Sequence, residues 1–229
     1  MQLTVKEVSR LLNVSERTIY RWINSKTIPA YRILDQYRFD RAELLEWINN
    51  RRINVSPEIF ASSGNDEEMP SLQEALKRGG IFYRVGGGNK QEVLREVVDL
   101  LRLPEKTDRD FLFKVLLARE ELASTAVGDG IAIPHVRNPI VLNITGSLIA
   151  LCFPEKPVDF GAVDGKPVHA LFTLVSPTAR VHLQLLSRLA FVLQQKDFKN
   201  AVLDQSARED LLSVLRKAEQ ALDLKKEKN

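Results

Sequence analysis

Nucleophilic or metal chemistry in this 229-residue sequence would be built most readily from three histidines and one cysteine: His135, His169, His182 and Cys152. A metal centre needs three or four convergent ligands at recognisable spacing; the sequence offers no such set, so neither metal nor other cofactor is expected. No Gly-x-Ser-x-Gly elbow is present for a hydrolase triad, and Cys152 falls inside the apolar run from Ser147 to Phe153, where a thiol is inert core. Gly86-Gly87-Gly88-Asn89-Lys90 lacks the spacing and closing Ser or Thr of a phosphate-binding loop, and reads as a flexible strand-to-helix turn. His135 is different. Gly128-Asp129-Gly130-Ile131-Ala132-Ile133-Pro134-His135 describes a turn, a short buried strand, and a proline that fixes the chain just before the imidazole. A neutral imidazole held outward at a strand end can attack an incoming phosphoryl group, although these residues alone also admit a plain surface histidine.

The other two histidines are weighed by their surroundings. His182 opens a helical pattern and shares a face with Leu186, Leu189 and Leu193, so it is either turned into a site or a satisfied core residue. His169 alternates with Leu171, Thr173 and Val175 on a strand and reads as structural.

The elements that must carry these residues begin at Ser71, which caps a helix together with Glu74 and is followed by the strand-like Ile81 to Val85. A helix through Leu101 follows the three glycines. The runs Ser147 to Phe153 and Val168 to Val175 bear large residues on both faces, which implies strands covered by helices on each side. Two late helices, Val181 to Gln195 and Ala207 to Leu222, supply that cover, the second opened by Ser206 and Glu209. The closing residues to Asn229 are expected to fray.

A separate, smaller pattern precedes them. Thr4 and Glu7 are spaced as a capping box for a helix from Thr4 to Leu12, and a second helix starts after Ser15, with Asn13 suited to a left-handed residue between them. Val8, Leu11 and Leu12 form one apolar stripe, and Ile19, Trp22 and Ile23 another. Arg17, Tyr20, Arg21 and Asn24 fall at i, i+3, i+4 and i+7, which gathers donors and an aromatic on one exposed face beside Thr18. Pro29 to Ile33, the turn Leu34-Asp35-Gln36, and Tyr37-Arg38-Phe39 read as a hairpin wing that carries Arg32 and Arg38. A third helix, from Asp40 to Asn50 with a capping box through Glu43, presents Leu44, Leu45 and Ile48 to the core, with Trp47 alongside. Periodicity is then lost. Ser62-Ser63-Gly64-Asn65-Asp66-Glu67-Glu68 has the composition of a flexible connector, which gives domains at 1–52 and 71–224 joined by a linker at 53–70.

Composition agrees with two folded domains. Apolar residues are 44% and charged residues 28%, and no apolar run reaches the ~18 residues of a membrane span. The opening residues carry none of the regions of a secretory signal, so a cytoplasmic location is expected. Residues 1–55 hold ten Lys or Arg against six Asp or Glu, whereas the remainder balances, a modest electrostatic footprint compatible with nucleic acid.

Over roughly Ser71 to Ala221 the sequence resembles the enzyme IIA domains of the mannitol, fructose and nitrogen-regulatory branch of the bacterial phosphotransferase system. The resemblance rests on Gly130-Ile131-Ala132-Ile133-Pro134-His135, on Arg119-Glu120 and Ser124-Thr125 before it, and on Pro157 to Phe160, Asp164 to Val168, and Pro177 to Leu186 with His182. It implies a three-layer α/β sandwich with a mixed sheet. By the same resemblance His135 accepts a phosphoryl group from a histidine-phosphocarrier (HPr-like) protein, His182 is the neighbouring second histidine, and Arg119 is the basic residue beside the phosphate. Family members often place a small residue after the active histidine; this chain has Val136-Arg137, and the role of Arg137 stays open.

The first fifty residues resemble the excisionase and MerR-type winged helix-turn-helix family, through Val5-Lys6-Glu7-Val8, Leu11 to Trp22, Ile28-Pro29-Ala30 and Tyr37-Arg38-Phe39. This resemblance implies that the helix after Ser15 enters the major groove of double-stranded DNA, while the hairpin reaches adjacent backbone. Arg17, Thr18, Tyr20, Arg21, Asn24, Arg32 and Arg38 are then the DNA-facing set, and a homodimer reading paired half-sites is expected. Glycines common before the Ile-Pro step and in the wing turn are replaced here, by Ser25-Lys26-Thr27 and Leu34-Asp35-Gln36. Together the two resemblances imply a phosphorylation-responsive transcriptional regulator of nitrogen or carbon metabolism. The alternatives are a IIA component that passes phosphate to a separate IIB protein, and a regulator whose N-terminal module contacts protein rather than DNA.

Overall fold

The computed structural model describes residues 2–33, 36–40, 43–44, 47, 71–136 and 146–226. The turn at Leu34-Asp35, the connector at 53–70, Arg137, most of the helix expected from Asp40 to Asn50 and the last three residues lie outside that set. The chain divides into two compact units, Met1–Asp66 and Glu67–Leu224.

In the first unit, Gln2–Thr4 (β1) leads directly into Val5–Leu11 (α1). Thr4 closes the expected capping box: its Oγ1 accepts from the Glu7 amide, while the Glu7 carboxylate accepts from the Thr4 amide at 2.7 Å. Helix α1 ends where Asn13 turns left-handed (φ 52°), with the Val14 amide donating to the Ser9 carbonyl and the Asn13 amide to that of Arg10, a Schellman closure. Glu16–Asn24 (α2) is capped by Ser15. It ends in the same way, but with Lys26 (φ 53°) in the left-handed position, the Thr27 amide donating to Trp22 and the Lys26 amide to Ile23. Tyr31–Ile33 (β2) and Gln36–Asp40 (β3) form the hairpin. The sequence reading missed β1, which pairs antiparallel with β3 and makes a three-stranded sheet in the order β1-β3-β2. Val8, Leu12, Ile19, Phe39 and Leu44 are fully or almost fully buried and form the small core. Trp47 donates its indole N–H to the Thr27 carbonyl and lies 5.3 Å from Trp22, centroid to centroid.

The second unit is a sandwich of helices on both faces of a five-stranded mixed sheet. Its elements run Leu72–Gly79 (α3), Gly80–Val85 (β4), Lys90–Leu100 (α4), Arg109–Leu122 (α5), Ala126–Gly128 (β5), Ile131–Ala132 (β6), Leu148–Pro154 (β7), Ala170–Val175 (β8), Ala179–Gln194 (α6), Lys196–Leu203 (α7) and Arg208–Lys226 (α8). Strand order is β4-β7-β8-β6-β5, with β4 parallel to β7 and β6 parallel to β8, the other neighbours being antiparallel. Alternation along the central strands sorts the core into two layers. Ile149, Leu151, Phe153, Phe172 and Leu174 pack under α3, α6, α7 and α8, whereas Leu148, Ala150, Cys152, Leu171 and Val175 pack under α4 and α5. Every residue of β7 and β8 is buried, as a strand covered on both faces must be. Burial pushes the Cys152 thiol up to about 12, which keeps it protonated and inert.

One buried ionic group ties the ends of this unit together. Glu219 on α8 accepts from the Leu72 and Gln73 amides at 2.7 and 2.9 Å, which satisfies the open N-terminus of α3, and Arg188 on α6 donates to the same carboxylate at 3.0 Å. Arg188 also reaches Asp223 at 2.9 Å. Among the described residues no helix is long and apolar enough to cross a membrane.

Candidate functional site

His135 is placed by two neighbouring strands. Beyond β6 the chain stays beside β8, with Ile131 opposite Ala170 and His135 opposite Leu174. The proline suits this position: it has no amide to donate, and only its carbonyl is required, accepting from the Leu174 amide at 3.0 Å. The Ile133 amide donates to the Thr125 carbonyl at 3.0 Å, while the Ile133 carbonyl lies 2.7 Å from His135 Nδ1. A carbonyl can only accept, so Nδ1 carries the ring proton and the lone pair of the neutral imidazole is at Nε2.

His182 stands in the first turn of α6, where Thr178 caps the helix through the Val181 amide and the His182 amide donates to the Thr178 carbonyl. Its ring meets that of His135 with centroids 5.1 Å apart and planes inclined by 39°. Each histidine is only 4% exposed. The outward ring and the surface-histidine alternative therefore do not hold for His135, because the first turn of α6 covers the strand end. Both rings lie by a helix N-terminus, whose partial positive charge favours an anion.

Arg119, in the last turn of α5, is buried, and its Nη1 donates to the Ala123 carbonyl at 2.8 Å. The next residue does something the sequence reading did not assign. The buried Glu120 carboxylate accepts from the Thr125 amide at 3.0 Å and from the Thr125 hydroxyl, and Lys90 approaches it at 3.8 Å. Glu120 thus fixes Thr125, whose carbonyl holds Ile133, whose carbonyl in turn orients the His135 ring. The Ser124 hydroxyl donates to the Phe160 carbonyl at 2.7 Å and joins the loop before β8 to the same assembly. The close Arg119-Glu120 and Ser124-Thr125 pairs are the only sequence signal that pointed here.

His169 is half-buried just before β8, away from His135, and its amide donates to the Gly130 carbonyl at 2.8 Å. Among the described residues no group of three or more His, Cys, Asp or Glu is arranged to hold a metal.

In the first unit Arg17, Tyr20, Arg21 and Asn24 are all exposed, and with Thr18, Ser15 and Ser25 they line an open depression of about 740 Å³. Tyr20 meets Tyr37 of β3 edge to face at 6.2 Å, and Arg32, opposite Tyr37 in the hairpin, shares that face of the sheet. Arg38 is opposite Tyr31 on the other face, half-buried, with its guanidinium on Gln36 Oε1 at 2.6 Å and on the Tyr37 carbonyl. The structure therefore groups Arg32 with the α2 face and sets Arg38 apart from it.

Residues 74–218 match the family model of the phosphoenolpyruvate-dependent sugar phosphotransferase system, EIIA 2. The chain belongs to that family. Residues 3–52 match a helix-turn-helix domain, so this member joins the two modules in one chain. It is 36% identical over 151 residues to a nitrogen regulatory protein of Pseudomonas aeruginosa, covering 64% of this chain and 96% of the relative. It is 35% identical over 127 residues to a nitrogen regulatory protein of Bradyrhizobium diazoefficiens, covering 55% of this chain and 78% of the other. Among solved structures, the crystal structure of nitrogen regulatory protein IIA-Ntr from Neisseria meningitidis aligns with a TM-score of 0.55 at 32% identity, over 63% of this chain and 98% of that one. The IIA fold expected for the second unit is the one observed.

Proposed function

We propose that this IIA member is a phosphorylation-responsive regulator, in which His135 takes a phosphoryl group from a histidine-phosphocarrier protein and the N-terminal unit binds double-stranded DNA. The observation that carries the reading is the Nδ1 contact of His135 with the Ile133 carbonyl, which leaves Nε2 as nucleophile beside the His182 ring. The Nε2–P bond forms as the donor's P–N bond breaks, and the electron pair returns to the donor imidazole. The product gains about 1.5 to 2 negative charges, which the α6 N-terminus, His182 and Arg119 offset. DNA contact is assigned to Arg17, Thr18, Tyr20, Arg21 and Asn24, with Arg32 of the excisionase or MerR-type wing on the adjoining backbone; Arg38, half-buried on the other face of the hairpin and engaged with Gln36, stands outside that contact. The regulated process is assigned to nitrogen metabolism, a reading supported by the names of the two nitrogen regulatory relatives, with carbon metabolism as its alternative. The protein is placed in the cytoplasm, where phosphocarrier and DNA meet, and as a homodimer on paired half-sites.

The test uses the full chain mixed with a phosphorylated carrier, followed by selection of bound DNA from a genomic pool with unmodified and phosphorylated protein in parallel. Acid-labile label on the wild type, none on His135→Ala, and unequal DNA recovery in the two states are expected. Label persisting on His135→Ala overturns the acceptor assignment; equal recovery overturns the switch, and recovery of no sequence above background overturns the DNA reader. Release of the label to a IIB protein would transfer the chain to the sugar-uptake reading.

A further inference from the structure

The Gly86–Lys90 run, which lacks the spacing of a phosphate-binding loop, has a definite shape. Gly87 takes a φ of 108°, a region that glycine enters freely, and a Cβ there would come within 2.7 Å of the Val93 amide nitrogen. Asn89 caps α4, its Oδ1 accepting from the Glu92 amide at 3.0 Å, and the Glu92 carboxylate reaches back to accept from the Gly88 amide at 2.8 Å. The turn is closed from both sides, and Lys90, the first residue of α4, leaves it in a fixed direction.

That direction leads to the end of α5. The Lys90 ammonium lies 3.8 Å from the Glu120 carboxylate and 5.9 Å from the centre of the Phe160 ring. The Lys90 side chain is 30% exposed and that of Glu120 only 1%, so one partner reaches solvent while the other is sealed in. A carboxylate removed from water needs a countercharge as well as donors. Thr125 gives the donors, through its amide and its hydroxyl, and Lys90 gives the charge. Both contacts of Lys90 converge on the phosphoacceptor. Glu120 holds Thr125 and, through Thr125 and Ile133, the His135 ring; the Phe160 carbonyl accepts from Ser124, the residue before Thr125.

We propose that Lys90 is a positioning residue for phosphotransfer: its charge keeps the buried Glu120 carboxylate fixed on both Thr125 donors, and so holds the His135 ring with its proton on Nδ1 and its lone pair on Nε2. Deprived of the ammonium, the carboxylate must draw in a proton or water, and either loosens its hold on Thr125. Lys90 itself touches no reacting atom; it acts through Glu120, Thr125 and Ile133. The inference rests on the reading of His135 as phosphoacceptor, but its first test needs no phosphoryl donor.

That test is ¹⁵N NMR of the full chain with labelled histidine, which gives the His135 tautomer ratio. Lys90→Met keeps the length of the stem and removes the charge, and is expected to shift the ratio away from Nδ1–H, whereas Lys90→Arg restores it. Labelling by a phosphorylated carrier, followed over time, is expected to slow about tenfold in Lys90→Met and to stay within about twofold of wild type in Lys90→Arg. Circular dichroism checks that each variant is folded, and Lys90→Gln replaces Lys90→Met should the latter not fold. An unchanged tautomer ratio, an unchanged labelling rate, or an arginine variant as slow as the methionine one each overturns the proposal. A wild-type chain that takes no label overturns the phosphoacceptor reading instead, and the tautomer comparison still decides the role of Lys90.

Discussion

The Glu120 carboxylate grips Thr125 by both its amide and its hydroxyl, and so carries the end of α5 onto the strand pair that presents His135. The same hydrogen-bond line continues through Ile133 to His135 Nδ1. Glu120→Gln replaces one acceptor oxygen by an NH₂ group that faces Thr125 donors. A stability loss of about 1–3 kcal/mol in chemical denaturation is expected. Because Glu120 acts through the ring's orientation, ¹⁵N NMR of His135 should also lose its preference for the Nδ1–H tautomer; an unchanged tautomer ratio would confine Glu120 to stability alone.

Glu219 and Arg188 are both almost fully buried, so deleting Glu219 leaves Arg188 with Asp223 alone and leaves the Leu72 and Gln73 amides without their acceptor. Burial alone would lower the Arg188 pKa, but the Asp223 and Glu219 carboxylates outweigh it and hold the guanidinium above its usual range. Glu219→Ala is expected to cost about 3–5 kcal/mol, read from denaturant unfolding by circular dichroism. The double change Glu219→Leu with Arg188→Met should be less damaging than Glu219→Ala, since no lone charge then remains in the core.

Lys26 holds the left-handed position that ends α2, at a cost a glycine does not bear. Lys26→Gly should stabilise the first unit by about 1 kcal/mol, and Lys26→Val should weaken it. Trp22 and Trp47 are the sequence's two tryptophans and both belong to this unit, so intrinsic fluorescence during thermal unfolding isolates its transition.

Hydrogen bonds from the Thr4 amide and then its hydroxyl hold the Glu7 carboxyl below the usual carboxylate range, against a smaller opposing effect of burial. A depressed folded value means that the capping box contributes above the unfolded pKa and is lost as pH falls through the folded one. Fluorescence-monitored stability of the first unit should decline on that acid limb, and Glu7→Gln should flatten the decline.

Local rules made most of the helices legible. The Thr4 and Glu7 box, Asn13 in its left-handed turn, and the Ser15 and Ser71 caps each depend on residues within a few positions of one another, and His135 was visible because a turn, a strand and a proline precede it directly. What escaped the reading depends on distance. Three residues, Gln2 to Thr4, are too short to show alternation, so β1 becomes evident only through its pairing with β3. Glu120 meets Thr125 because α5 stops at Ala123, whose extended backbone (φ −166°) reverses the approach. Lys90, Glu120 and Phe160 converge from a helix start, a helix end and a loop, with no spacing to betray them. The ring of His135, expected to point outward, is covered by a helix that arrives from far along the chain.

Glu219 also fixes where this unit begins and finishes. The last helix clasps the opening amides of α3, so the polypeptide comes in and goes out at one corner of the sandwich. Such a closed loop behaves as a cassette: its natural ends can be spliced there and new ends cut at a distant surface turn without parting any strand from its neighbour. The same corner lets a further module be joined at the entrance while the five strands inside stay as they are.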